Sequence, residues 1–434
     1  MLKRIGIILI FILSSCCLFG QELWHMQFSA PLGTGARALG MGGSFIAVAD
    51  DATAVTWNPG GLGQIESIEV SLVGSAYSFE MKYPAIITGQ QQRGMLYESG
   101  DSSTYDLVGV SVPMRPFQHS NFKIVFQYSF QRLMPLRLES QTTRTAFENR
   151  TREILKKGTI YGEKSFSGGL DSHNISLAVE PVPWLDVGVS LVMLTGGFSG
   201  SQRNYLDYDV IHLQTETVHH VTEVQEPFAA DIDLKGTSLF FGALLKISDN
   251  IKVGAVFRKP FNIEQFSQQI KWSETHYPGA YGAGISYRPI DELTLAADVT
   301  FSLWSKGKNV WVIDDSEYYF PLWDLPYEAE TEYAYQKQYD THQIRFGAEY
   351  VFIEGDWLIP VRIGAFLDKQ LFADYNEEIP YYTGLTCGVG IVWDYFALDL
   401  AVLYEFGDYK EHPHSVYNTD YNFYRAYASL IFRF

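Results

Sequence analysis

Residues 292–304 read ELTLAADVTFSLW, and apolar side chains fall at every second position. Leu293, Leu295, Ala297, Val299, Phe301 and Leu303 share one side; Glu292, Thr294, Ala296, Asp298, Thr300 and Ser302 share the other. A period of two puts these sets on opposite faces of a β-strand. FALDLAVLYEF (396–406) repeats the pattern, with Phe396, Leu398, Leu400, Val402, Tyr404 and Phe406 against Ala397, Asp399, Ala401 and Glu405. NFYRAYASLIFRF (422–434) does so again, with Tyr424, Ala426, Ala428, Leu430, Phe432 and Phe434 against Arg425, Ser429 and Arg433. Such segments run to about 10–13 residues, against about five or six for a strand in a soluble domain, and that length suits a tilted strand crossing a bilayer.

Alternation by itself fits a soluble sandwich as well as a membrane barrel, so compartment and loop lengths decide. Lys3 and Arg4 precede an apolar run from Ile5 to Leu13 and then small residues, the pattern of a secretory signal peptide over 1–20 with cleavage after Gly20. Leu13–Cys16 also fits a lipobox, which would leave a lipidated Cys16. Two of the three cysteines fall in this leader, so the mature chain keeps Cys387 alone and a disulfide framework is excluded. No later run reaches the roughly 18–20 apolar residues of a membrane helix. Aromatics nevertheless make up 15% of the chain, with 28 Tyr, 29 Phe and 9 Trp. The net charge of −18 argues against a nucleic-acid partner, because phosphate binding needs the opposite sign.

Connections alternate in length. Short ones fall at 115–121, 181–184, 248–250, 289–292, 353–356 and 394–395, and long polar ones at 81–104, 132–171, 195–228, 305–339, 368–383 and 407–421. Short periplasmic turns opposite long external loops are the outer-membrane pattern. One stretch, KVGAVFRKPFNIEQFSQQIKW (252–272), reads as two strands or as one bent at Pro260. One strand restores the alternation and gives the even number, fourteen, that bacterial single-chain barrels favour. The expected architecture is all-β: a fourteen-stranded antiparallel transmembrane barrel over 67–434. Phe434, closing an amphipathic last strand, looks like the signal read by the barrel-assembly machinery.

The segment GARALGMGGSFIAVADDATAVTWNPGGL (35–62) resembles the N-terminal hatch of FadL-type outer-membrane transporters of long-chain fatty acids and other hydrophobic compounds. Their pattern is a Gly-Ala-Arg opening, an AVADDASA run and a WNPAGL close; Gly60 here replaces the alanine of Asn-Pro-Ala. Residues 279–305 and 342–368 echo the same family. The resemblance implies passive uptake of hydrophobic small molecules, fatty acids among them, by a monomeric barrel in outer-membrane lipid, without a cofactor. Type IX secretion shuttle barrels share the architecture and much of the motif, which keeps a shuttle or surface-protein assembly role as the alternative.

The residues agree with a plug over 21–66. Fourteen strands enclose a lumen too wide to fill with wall side chains. Gly35, Arg37, Gly40, Gly42, Gly43, Asp50, Asp51, Asn58, Pro59 and Gly60 are the candidate hatch residues. Gly40, Gly42 and Gly43 supply hinges at low steric cost. Asp50 or Asp51 can cap a short helix over ATAVTW, and Pro59 forces Asn58 out of the helical region. Gly60 and Gly61 let the close of the segment lie against the wall.

Catalytic and metal sites are not evident. No Ser-His-Asp order, paired carboxylates or His-rich spacing stands out, although a third class, an outer-membrane hydrolase, shares the barrel architecture. His219, His220, His412 and His414 read as surface loop residues. The acidic residues from Asp314 to Asp340 read as a solvated loop, with a calcium or partner site as the alternative. Lys123, Arg288, Asp298, Arg345, Glu349, Arg362, Asp399, Glu405 and Arg425 are expected to face the lumen as a network of paired charges. One arginine meeting a substrate carboxylate is the functional alternative.

Overall fold

Strands with one apolar and one polar face satisfy every backbone group by closing on themselves, because closure leaves no unpaired edge. The computed structural model describes residues 33–84, 95–116, 122–141, 145–150, 154–215, 217–267, 270–306, 309–310, 338–374, 376–409 and 419–434. The leader and residues 21–32 lie outside these.

One antiparallel sheet holds β1 Glu69–Pro84, β2 Met95–Met114, β3 Lys123–Gln141, β4 Thr145–Arg150, β5 Ile154–Val182, β6 Leu185–His212, β7 Thr217–Ser248, β8 Ile251–Arg258 and β9 Phe261–Ser267. It continues with β10 Ile270–Tyr277, β11 Ala280–Ile290, β12 Leu293–Ser302, β13 Asn309–Val310, β14 Thr341–Glu354, β15 Trp357–Lys369, β16 Tyr381–Trp393, β17 Phe396–Tyr409 and β18 Thr419–Arg433. Fourteen strands close the barrel, in the order β1-β2-β3-β5-β6-β7-β8-β11-β12-β14-β15-β16-β17-β18 and back to β1. β1 pairs with β18 from Glu69↔Arg433 to Lys82↔Asp420, which seals the ring.

Pro260 settles the ambiguous stretch. β8 and β9 both pair with β7, so 251–267 is one wall element bent at Lys259-Pro260, where proline has no N–H for the ladder. The run does not extend through 272, however. β10 returns antiparallel to β9, so Ile270–Trp272 belong to the next element.

The long connections differ from expectation as well. Residues 132–141, 154–171, 195–212 and 217–228 are not loops but prolongations of β3, β5, β6 and β7, paired residue by residue from Ile154↔His212 to Leu170↔Gly196. Gly, Ser and charged residues interrupt both faces of these prolongations, although Met134, Leu170, Leu206 and Tyr208 are buried on them, so the clean alternation that marks a half-buried strand is absent there.

The faces separate as read. Leu295, Phe301, Leu398, Leu400, Val402 and Tyr424 are exposed on the outside, while Asp298, Asp399, Ala401, Glu405 and Ser429 are buried inside. Arg288 is the exception: it is exposed at the short turn and paired with Asp291 at 3.4 Å. It lies where β11 runs out of lumen to face.

Candidate functional site

Residues 33–65 run through the barrel interior in the half nearer the short turns, and nearly all are buried. They form two short helices, α1 Ala36–Gly40 and α2 Ala54–Trp57, followed by a 3-10 helix at Pro59–Gln64. Leu39, Met41, Phe45, Val48, Trp57, Leu62 and Ile65 form one apolar cluster with the wall residues Val73, Leu107, Val125, Phe366, Leu403 and Tyr427. At about 1.5–3 kcal/mol for each large side chain, that burial is worth on the order of 10 kcal/mol. Wholesale extraction of the segment from the barrel would forfeit that burial.

Polar anchors fix the segment to the wall. Arg37 donates from Nε and Nη2 to both oxygens of Glu349, each at 3.0 Å, and its Nη1 meets Asp50. Glu349 also accepts from Arg362 Nε at 2.6 Å, and Arg362 Nη1 reaches Asp399 at 2.6 Å. One buried chain of charge thus joins Asp50 and Arg37 to β14, β15 and β17. Asp298 lies opposite Gly284 and Arg345 in the register. Its carboxylate accepts from the backbone N–H groups of Phe45 at 2.6 Å and Ile46 at 2.8 Å. Thr386 Oγ1 accepts from the Gly42 amide and donates to the Gly40 carbonyl, and Ser429 accepts from the Ala36 amide at 2.7 Å.

The WNPGGL close is a further anchor. Asn58 Nδ2 donates to the Ile46 carbonyl at 2.8 Å and to the Ala243 carbonyl of β7 at 3.0 Å, while its Oδ1 accepts from Gly60 N–H at 2.9 Å. α2 ends at Trp57, with Asn58 extended ahead of Pro59. A Cβ at Gly60 would lie 2.9 Å from the Gly242 carbonyl oxygen, which leaves no room here for alanine without a shift. Gly42 has φ 67°, and a Cβ there would sit 2.8 Å from the Ala365 nitrogen and the Phe346 oxygen. Gly42 thus combines left-handed backbone with close approach to the wall.

The structure brings nine of the ten candidate hatch residues against the barrel wall or against Arg37. The tenth, Gly35, has φ 113° and lies under Thr53. Contrary to expectation, neither aspartate caps α2, whose N-cap position is Thr53. Asp51 accepts from Thr53 N–H at 2.8 Å and from its hydroxyl at 2.5 Å, which fixes the turn before α2 and not the helix N-terminus itself, while Asp50 pairs with Arg37.

A second apolar cluster lies above, toward the long connections. Met134, Leu170, Leu194, Leu234, Ile263, Tyr277, Trp304 and Leu371 are buried together, with Phe261 and Phe372 against them. Sequence reading did not pick out these residues, because they come from six different strands and two connections, and only closure assembles them.

Among the described residues no three of His, Cys, Asp and Glu converge as a metal ion would require. The segment 311–337, with Asp314 to Glu332, lies outside them, as do His412 and His414. Asp340 accepts from the Ser305 amide at 2.9 Å. His220 sits on the distal part of β7 between Asp209, at 2.9 Å, and Asp207, at 3.0 Å; the Asp209 hydrogen bond raises its pKa above the ordinary histidine value.

A barrel of fourteen strands, filled at one end by an N-terminal segment and lined above it by apolar side chains, has counterparts among solved structures. The toluene transporter TodX of P. putida aligns with a TM-score of 0.58 over 93% of this chain and 99% of its own, at 12% identity. A FadL homologue of Pseudomonas aeruginosa gives 0.55 over 92% and 97%, at 12% identity. The Ralstonia pickettii toluene transporter TbuX gives 0.53 over 93% and 99%, at 14% identity. The fold is that of the FadL-type transporters. No protein-family model and no curated protein matches the sequence.

Proposed function

We propose that this chain is an outer-membrane barrel for passive uptake of hydrophobic compounds, long-chain fatty acids among them, with residues 21–66 as a hatch across the lumen. The observation that carries the reading is the stacking of two apolar layers inside one barrel: a chamber lining on the long-connection side and a buried plug beneath it. An apolar exterior supports membrane placement. Phe301, Phe346, Ile363, Leu385, Val402 and Val389 stand exposed together on the outside of a closed sheet, a surface unsuited to water.

A ligand entering from outside partitions into the upper cluster, and the hatch yields locally. The polar anchors at Glu349, Asp298 and Asn58 keep the segment in register while its glycine-rich turn at 40–43 gives up its hydrogen bonds to Thr386 and rearranges. A sideways exit through the wall has one observation in its favour. A groove of about 960 Å³ opens at β16, β17, β18, β1 and β2, floored by small residues such as Ala76, Ser78 and Ala426. The β1–β2 register also shifts there, at Val73/Gly74.

Deleting residues 35–63 while keeping the barrel should raise ion conductance in planar bilayers and abolish selective uptake of labelled oleate by cells. Unchanged conductance would show that the segment does not close the lumen. Intact oleate uptake in a strain lacking the whole chain, together with loss of surface-displayed proteins, would favour the secretion-shuttle reading.

A further inference from the structure

One row of side chains crosses the outside of the barrel at its upper margin, on the long-connection side. Phe241, Phe257, Tyr281, Phe301 and His342 stand opposite one another in the register of β7, β8, β11, β12 and β14. Lys369 and Tyr381, paired across β15 and β16, continue the row. Ring centroids lie 6.2 Å apart for Phe241 and Phe257, 4.9 Å for Phe257 and Tyr281, and 6.0 Å for Phe301 and His342. His342 and Tyr381 meet across β15 at 5.6 Å. The pleat sends the row outward, since Thr341, Gln343 and Asp368, the chain neighbours of His342 and Lys369, are buried on the lumen side.

The height of the row is that of lipid head groups. β15 has 13 residues, from Trp357 to Lys369. At about 3.3 Å each and a tilt of about 40° they rise roughly 30 Å, an apolar band with a margin at each end. The lower margin of this sector is closed by rings, Trp357 and Trp393 stacking at 5.1 Å. Its turns at 353–356 and 394–395 carry Glu354, Asp356 and Asp394 and no Lys or Arg. The upper row is instead broken at two neighbouring positions, where His342 and Lys369 take the places of aromatic rings. Among the described residues neither forms an ion pair. Lys369 Nζ rests on the Asp340 carbonyl at 3.0 Å, and His342 Nε2 lies 3.3 Å from the Tyr381 hydroxyl. The nearby Asp340 carboxylate is turned to the Ser305 amide, at 2.9 Å.

Rings at a membrane margin are indifferent to head-group charge, whereas a lysine beside an imidazole, with no carboxylate paired to either, is stabilised by an anion at that height. A phosphate suits the place, because its oxygens accept from the Lys369 ammonium, from an imidazole N–H and from the Tyr381 hydroxyl. Resting on the membrane placement in the uptake reading above, we propose that His342, Lys369 and Tyr381 hold the phosphate of an outer-leaflet lipid. Its acyl chains lie below, over the exposed Phe301, Phe346 and Leu367. The acidic lower margin of the same strands has no such place, so the site belongs to one leaflet. Sequence reading set 368–383 aside as a connection and missed Lys369. Only its pairing with β16 brings it into the row.

The test is binding of diphosphoryl lipid A, and of the same lipid after phosphatase treatment, to the purified full-length barrel in a nonionic detergent, read by native mass spectrometry. The phosphorylated form should bind at least about fivefold more tightly. The ratio should fall to within about twofold in the double variant His342→Gln, Lys369→Gln. It should keep the wild-type value in Lys369→Arg and in Arg288→Gln, which lies at an exposed lower turn. Each variant is checked for folding by its faster gel migration before heating. Equal affinities in the wild-type barrel, binding of neither form, or an undiminished ratio in the folded double variant would overturn the assignment. Should the double variant fail to fold, Lys369→Gln alone decides. Uptake of labelled oleate by cells carrying the wild-type chain judges the uptake reading independently of either ratio.

Discussion

At the residue scale the barrel interior is governed by charge compensation. Arg362 is 2% exposed and holds Glu349 and Asp399 at 2.6 Å each, so removing it leaves Asp399 buried without its partner and Glu349 with Arg37 alone. Arg362→Met should cost about 3–5 kcal/mol, the usual penalty for orphaning a buried charge. Urea unfolding of the purified barrel, read by the gel shift between folded and unfolded forms, measures it. The double change Arg362→Met, Asp399→Asn should restore most of the loss, because Glu349 keeps Arg37. A loss below about 1 kcal/mol in the single variant would mean that water already shares the network. The sequence marks all three residues as inward through strand parity. It does not say that Glu349 serves two arginines, one of them on the hatch, because that pairing spans residues 37, 349, 362 and 399.

At the element scale Pro260 is the informative feature. A proline inside a wall strand has to sit at a break in the ladder, and here the break in one element faces a second break at Pro278-Gly279 in its neighbour. A Cβ on Gly279 would lie 3.3 Å from the Pro260 ring. β9 and β10 are thereby set off as a hairpin on the long-connection side. In intact cells, a cysteine placed at Ser267 should react with an impermeant maleimide, and one at Asp249 should not. Labelling with the opposite sidedness would invert the barrel, and labelling of both would break the strand. The prolonged hairpins of β5, β6 and β7 carry the opposite lesson. Their strands are paired like those in the barrel, yet they were illegible, since Gly, Ser and charged residues break the hydrophobic period on both faces.

At the scale of the whole molecule the apolar belt makes the membrane assignment testable. Leu400 is 49% exposed on the outside, midway along β17, whereas Tyr395 stands at the short turn below it. If the belt lies in a bilayer, Leu400→Arg should cost about 2–4 kcal/mol and Tyr395→Arg about 0–1 kcal/mol. Unfolding from lipid vesicles measures both. Equal penalties at the two positions would show that depth does not matter and that the belt is not in lipid.

What the sequence by itself determined is the set of properties written at short range. Strand faces follow from a period of two, short turns from clusters of Pro, Gly, Asn and Asp, and the break that ends α2 from Asn58-Pro59. Each needs only neighbours within a dozen residues. The closed ring of partners, the seat of Gly60 on β7, the shared Glu349 and the upper apolar cluster were decided by tertiary structure alone. Closure brings together side chains from strands hundreds of residues apart, and a contact of that kind leaves no period in the chain for a reader to find.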